Sequence, residues 1–274
     1  MSYLHPSDAI DPTEMTGFRG GRLAATVLLI RDGPTGLEVW LQERVSTMRN
    51  FPGHAVFPGG GVDPRDFPPR AWDSGELWAG DSVVSMARRM RVNKYKAHAL
   101  VFAAARELFE EAGTLLTIRE DGIVSDASRF HTDRLELESH RMSFTDFLSL
   151  EGMRVDSEML KPWARWVGKA GSAQFFDTFF FLALLPEGQE PDGTTGEADD
   201  AGWFSPRLIL DGWRAGLVRL VAPTWAQLQR LARCDSVNEA VKDADASDMH
   251  PVIGDPIDDE RYREFFTTYP TNRI

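Results

Sequence analysis

Ala103-Ala104-Ala105-Arg106-Glu107-Leu108-Phe109-Glu110-Glu111-Ala112-Gly113 is the stretch on which the reading of this 274-residue chain turns. It is rich in strong helix formers and free of proline, and Gly113 stands where a helix ends in the left-handed conformation. At about 100° per residue, Glu107 lies about 60° and Glu111 about 100° from Glu110 in the same sense, so three carboxylates share one face. Arg106 falls at the other edge of that face. Val101, Ala105, Leu108, Phe109, Ala112 and Leu116 take the opposite side, the stripe that a core would occupy. Glutamates this close repel, and like charges at this spacing destabilise a helix. The residues alone leave two readings open. One is a solvated acidic face with Arg106 as partner. The other is a set of ligands for a hard divalent cation, because Mg²⁺ takes oxygen donors and keeps positions for waters and substrate phosphates.

Composition narrows the function classes. Hydrophobic residues make up 42% of the chain, with 17 Phe and 8 Trp, so a sizeable core is available and disorder is excluded. No apolar run reaches the length of a membrane span. Residues 1–21 lack an apolar signal core and carry Asp8, Asp11 and Glu14, so they read as an extended N-terminal arm and argue against secretion. Cys234 is the single cysteine, which excludes an intramolecular disulfide and fits a reducing compartment, the cytoplasm. The net charge of −12 argues against a nucleic-acid binder, which needs a basic surface. It leaves room for an anionic small molecule, because a bound cation and local arginines invert the field inside one cleft.

Along the chain, Arg22 to Arg31 predicts a strand with a buried centre. A turn follows at 32–36, and Leu37 to Arg44 alternates with period two, as a strand with one wet face does; together they predict a hairpin. Residues 67–98 begin as a Pro- and Trp-containing loop and end as helix. Arg88, Arg89, Arg91, Lys94 and Lys96 give that end five positive charges. It reads either as a solvated helix face or as a lid or lobe that meets an anionic ligand or a partner subunit. Arg129 to Leu150 reads as mostly helical. Gln174 to Leu185 is nearly all apolar and predicts a central strand buried on both faces. Ser205 to Ala215 and Pro223 to Ala232 predict helices. Residues 233–274 are acidic and Pro-containing, and read as a tail or as the contact arm of a homodimer.

Arg106-Glu107-Leu108-Phe109-Glu110-Glu111-Ala112-Gly113 resembles the second half of the Nudix hydrolase signature, G-x5-E-x7-R-E-U-x-E-E-x-G-U, in which U is a bulky apolar residue. Thr114 takes the last position. The first half has its counterpart in Phe57-Pro58-Gly59-Gly60-Gly61-Val62-Asp63-Pro64-Arg65-Asp66, where Gly60 matches the opening glycine and Asp66 stands for the first glutamate. The family has seven residues between that acid and the arginine; here 39 separate Asp66 from Arg106. A box split in this way is similar to the branch related to the mammalian peroxisomal coenzyme A diphosphatase. Runs like Phe176-Asp177-Thr178 and Leu220-Val221-Ala222-Pro223-Thr224-Trp225 occur in that branch too. Arg44, Arg49, Gly53, Phe57, Pro58, Gly59 and Gly60 fall in register with the motif that accompanies coenzyme A-cleaving members, although Val45 departs from it.

The resemblance covers residues 22–232, with 67–98 as an insert within the box. It implies an α/β/α sandwich around a mixed sheet, and hydrolysis of a nucleoside-linked diphosphate. Glu107, Glu110 and Glu111 would be ligands of Mg²⁺ or Mn²⁺, with Arg106 orienting a carboxylate beside it. Glu197, in the loop before a later E…W strand, is the candidate for a further ligand or base. Arg44, Arg49, Gly59 and Gly60 would bind substrate. Asp66, one methylene shorter than glutamate, reads as a capping acid rather than a ligand. Three functions remain open: a coenzyme A or acyl-coenzyme A diphosphatase, an ADP-ribose or dinucleotide diphosphatase, and a non-catalytic binding or regulatory module.

Overall fold

A computed structural model of the chain describes residues 15–44, 53–68, 76–170, 174–193 and 198–268. The expected hairpin forms from β1 (Arg22–Gly33) and β2 (Gly36–Arg44), antiparallel from Ile30↔Val39 to Gly33↔Gly36. The chain continues through β3 (Ala55–Val56), β4 (Gly59–Gly61) and β5 (Trp78–Ala79) to α1 (Val83–Met90) and α2 (Lys94–Ala112). Then come β6 (Thr117–Arg119), β7 (Gly122–Ile123), α3 (His131–Glu138), α4 (Phe144–Glu151), β8 (Arg154–Asp156), β9 (Lys161–Ala170) and β10 (Gln174–Leu184). The last elements are β11 (Ala198–Phe204), α5 (Pro206–Arg214), α6 (Ala222–Leu231), α7 (Val237–Asp245), β12 (Val252–Ile253) and α8 (Arg263–Thr267).

The main sheet runs β11-β2-β1-β10-β9-β12, with β3 on β2 and β4 on β1. It is mixed, since β10 lies parallel to β1 and antiparallel to β9. Period-two alternation sorts its side chains into two cores. Leu23, Ala25, Val27 and Leu29 of β1, with Phe179 and Phe181 of β10, pack beneath α2. Leu28, Ile30, Phe180 and Leu182 face the other way, onto Trp213 of α5, Trp225 of α6 and Ala240 of α7. The molecule is therefore an α/β/α sandwich around a mixed sheet, and β10 is buried on both faces along its centre, as its unbroken apolar run predicts.

Two expectations need correction. The face of β2 read as wet is covered by the α2 layer, so Trp40 and Gln42 are only 5% and 3% exposed. The stretch read as an acidic tail or contact arm folds onto the sheet. Val237, Ala240 and Ala244 have helical spacing and bury the inner side of α7, and Phe265 of α8 stacks on Trp213 at 5.7 Å. Its acids lie outside. The positive end of the insert presents its charge on a solvated helix face: Val83, Met86 and Met90 join the α2 core, Arg88, Arg91 and Lys94 are exposed, and Arg89 and Arg91 pair at the surface with Asp245 and Asp248 at 3.3 and 3.0 Å. The insert is also tied down by β5, which pairs with β8 in a second, four-stranded sheet.

His98, at the junction of insert and signature helix, is 4% exposed and stacks on Phe102 at 3.9 Å. Its Nδ1 lies 2.9 Å from the Asp66 carbonyl oxygen, to which the neutral ring donates. Burial pushes its pKa down from 6.5 to about 3. Above pH 6.5 both folded and unfolded chains carry it neutral; below, only the unfolded chain takes the proton, until the pH falls to about 3. Stability is expected to fall through that window by up to about 1.4 kcal/mol per pH unit. Denaturant unfolding at pH 7.5 and 5.5 should show a smaller pH-dependent loss for His98→Gln than for the parent. Equal losses would refute the assignment.

Candidate active site

Two local structures build the site. The signature helix starts where Asn93 accepts from the Lys96 amide and ends where Gly113 turns left-handed at φ 64°, so its last two turns present Arg106, Glu107, Glu110 and Glu111. The glycine stretch forms β4, pairing Gly59, Gly60 and Gly61 with Thr26, Ala25 and Ala24. Each glycine answers a different neighbour. At Gly59, with φ 157°, a Cβ would lie 2.5 Å from the Ala25 carbonyl oxygen. At Gly60 it would lie 2.5 Å from Glu107 Oε1, and at Gly61 2.5 Å from Arg22 Nη2. The Glu107 carboxylate thus sits directly against the strand backbone, an approach that any side chain at position 60 would prevent.

Arg106, 7% exposed, is the hub. Its Nε and Nη2 donate as a fork to the two oxygens of Asp66 at 3.1 and 3.0 Å. Nη2 also donates to the Gly61 carbonyl at 3.0 Å, and Nη1 to Glu107 at 2.8 Å and Glu110 at 3.3 Å. Asp66 is 2% exposed and caps its own short 3₁₀ turn by accepting from the Asp63 amide at 2.8 Å, the capping role its sequence position predicts. Glu111 is held separately: Oε2 accepts from Gln42 Nε2 at 2.5 Å and from the Gly59 amide at 2.9 Å. Three carboxylates therefore crowd round one guanidinium, with the fourth, Glu111, held beside them. Burial pushes the Glu110 carboxyl up to about 7 and raises Asp66 too, with Arg106 pulling both the other way. Burial also opposes the charge on Arg106, but Asp66 and Glu107 outweigh it and hold its pKa above the usual arginine value. The acidic face is not solvated, since Glu110 and Glu111 are 9% and 6% exposed.

Among the described residues, no three His, Cys, Asp or Glu side chains are disposed to enclose an ion; Glu107 and Glu110 turn to Arg106, and Glu111 to Gln42 and Gly59. The donor set nevertheless fits Mg²⁺ or Mn²⁺. Its atoms are hard carboxylate oxygens, and their excess of buried negative charge over one guanidinium is what a divalent cation offsets.

On the sheet face away from α2, a cleft of about 650 Å³ begins at the glycine strand. Thr26, Thr178 and Phe180 form its floor, the start of α6 at Val221 to Thr224 one wall, and Phe265 and Phe266 another. Sequence reasoning missed Gln42, Arg22 and this contribution of the C-terminal segment. Of the expected binding residues, Gly59 and Gly60 stand at the site. Arg44 ends β2 opposite Ala198, with its side chain outside the described residues. Arg49 and Glu197 lie outside them altogether.

No protein-family model matches the chain. A solved Nudix hydrolase from Alicyclobacillus acidocaldarius is 29% identical and superposes with a TM-score of 0.66, over 83% of this chain and 97% of that one. A Caenorhabditis elegans protein with a Nudix hydrolase name is 27% identical over 86% of this chain and 66% of its own length. The acyl-coenzyme A diphosphatase NUDT19 of Xenopus laevis is 22% identical over 75% of this chain and 62% of its own. The chain thus spans just under two thirds of the length of these curated relatives. No described helix is long and apolar enough to cross a membrane. Two halves of one signature, 39 residues apart in sequence yet joined by the Arg106–Asp66 fork, agree with these relatives and with the layered fold: the chain belongs to the Nudix hydrolase superfamily.

Proposed function

We propose that the chain hydrolyses a nucleoside-linked diphosphate with a divalent cation, and that its substrate is coenzyme A or an acyl-coenzyme A. The products are adenosine 3′,5′-bisphosphate and the (acyl-)phosphopantetheine. The observation that carries the reaction class is the largely buried cluster of Asp66, Glu107 and Glu110 around Arg106, with Glu111 beside it on Gln42 and the Gly59 amide, next to the glycine strand where the cleft opens. The substrate rests on the diphosphatase activity named for the Xenopus relative and on the motif register of Arg44, Arg49 and the glycines.

Glu107, Glu110 and Glu111 would hold Mg²⁺ or Mn²⁺, which when bound neutralises phosphate oxygens and lowers the pKa of a coordinated water. The chain's own part is positioning, the main requirement for water attack at phosphorus. Arg106 fixes the carboxylates of Glu107 and Glu110, and Gln42 with the Gly59 amide fixes Glu111. Asp66 holds Arg106 and, in this proposal, binds no ion. The missing side chains of Gly59 and Gly60 let β4 close on Ala25 and on the Glu107 carboxylate, and the two residues are assigned to the substrate through their backbone. Arg44 and Arg49 are assigned to the substrate's outer phosphate, and Glu197 to a further ligand or the base.

A chromatographic screen of coenzyme A, acetyl-coenzyme A, ADP-ribose and NADH tests this. Adenosine 3′,5′-bisphosphate should appear from the coenzyme A substrates with Mg²⁺ and disappear with EDTA. Faster cleavage of ADP-ribose would overturn the substrate. No cleavage of any compound with Mg²⁺ or Mn²⁺ would overturn the reaction and leave a binding module.

A further inference from the structure

We infer that Arg22 grips the substrate's diphosphate from the cleft side of the glycine strand, opposite the carboxylates. β4 separates two charged groups by a single layer of backbone. Gly60 pairs with Ala25, whose side chain belongs to the α2 core, and the Glu107 carboxylate occupies the space that a Cβ at Gly60 would need. Gly61 pairs with Ala24, which lines the cleft. A Cβ at Gly61 would meet Arg22 Nη2, Cζ and Nε at 2.5, 2.7 and 2.7 Å. Three guanidinium atoms at nearly one distance mean that the group lies flat on the strand. Acid and base thus cover adjacent residues, whose Cα atoms are about 3.8 Å apart, from opposite faces. A diphosphate lying in the cleft beside Gly61 would be within reach of the guanidinium.

Arg22 is also available. It is exposed, and no described acid pairs with it. The other charged residues lining the cleft are Lys169 and Asp255. In a chain of net charge −12, most arginines near acids are neutralised: Arg106 by Asp66, Arg165 by Asp177, Arg134 by Asp192. A guanidinium that no described acid pairs with, lining a cleft of about 650 Å³, is placed to bind an anion, and its planar fork matches two phosphate oxygens better than an ammonium would. The class of ligand is any diphosphate ester, because the fork meets the group common to all substrates of the proposed reaction and not the nucleoside.

The inference rests on the diphosphate reading above, so its test includes binding as well as turnover. Calorimetric titration with α,β-methylene-ADP, a non-hydrolysable diphosphate, and with adenosine would compare the parent with Arg22→Ala, Arg22→Lys and Gly61→Ala. The last variant keeps the charge and displaces the guanidinium. Arg22→Ala and Gly61→Ala should weaken α,β-methylene-ADP about ten- to a hundredfold, as loss of a charge-assisted hydrogen bond does. Arg22→Lys should fall between them and the parent. Adenosine affinity and Mn²⁺ affinity, the latter by electron paramagnetic resonance, should stay unchanged, and kcat/KM should drop equally on every substrate that the parent cleaves. Unchanged α,β-methylene-ADP affinity, or an equal loss for adenosine, would overturn the inference. If the parent cleaves nothing, the hydrolase reading falls, while the binding comparison still decides Arg22.

Discussion

Glu111→Gln is expected to lower kcat by roughly a hundred- to a thousandfold, the range that loss of one charge-stabilising group costs other hydrolases, while the protein stays folded. Glu111 differs from a surface glutamate in being 6% exposed and gripped by two donors, Gln42 Nε2 and the Gly59 amide. The amide isostere keeps an oxygen that accepts from both, so the side-chain pose and the approach of β4 to α2 survive. It loses the negative charge. In a cluster of repelling carboxylates that loss costs little stability, within about 1 kcal/mol, and removes one of the oxygens that would bind the cation. Three measurements separate the cases: kcat at saturating Mg²⁺, Mn²⁺ affinity by paramagnetic resonance, and the melting temperature. A folded variant with weaker Mn²⁺ binding and little turnover fits a ligand. Full turnover at saturating Mg²⁺ would remove Glu111 from the site.

The legible part of the molecule is the part set by local pattern. The helix over the second half of the signature, its Gly113 end and the all-apolar β10 follow from propensity and period, and a capping role for Asp66 follows from its length and position. What local pattern leaves open is which surface another element will cover. Gln42 sits on the face of β2 that reads as wet; it is buried because α2, 69 residues further on, lays Glu111 over it. The C-terminal segment reads as a tail because its acids dominate the composition. Yet Val237, Ala240 and Ala244 already carry a helical stripe small enough to fit against the sheet, and that stripe is the signal that composition masks. The charge on the insert reads either as a solvated face or as a surface that meets a ligand, and finds part of its complement in Asp245 and Asp248, more than 150 residues away. Arg22 is legible only as the first residue of a strand. Its meaning comes from Gly61, a strand partner's neighbour whose missing side chain makes room for it.

Arg106→Ala should cost about 3–5 kcal/mol of stability, because it removes one partner from a buried charge network and leaves the others uncompensated. The bare fork accounts for much of it. Asp66, 2% exposed, would lose both guanidinium bonds and keep only the Asp63 amide, while the Gly61 carbonyl, Glu107 and Glu110 would each lose a donor. For a chain of this size the melting temperature should drop on the order of 10 °C. The pH dependence separates this from simple loss of packing. Burial already raises the Asp66 carboxyl, and Arg106 is what holds it down. Without the arginine Asp66 goes further up and takes a proton in the folded state, so the variant's deficit should shrink as the pH is lowered and widen as it is raised. Arg106→Ala combined with Asp66→Asn removes the stranded charge along with its partner. It should therefore be more stable than Arg106→Ala alone, by a coupling energy of about 1–3 kcal/mol. The double variant should stay inactive, because Glu107 and Glu110 would still lack the group that fixes them. If Arg106→Ala instead costs less than about 1 kcal/mol at every pH, the fork contributes no net stability in this protein, and its role reduces to aiming the glutamates.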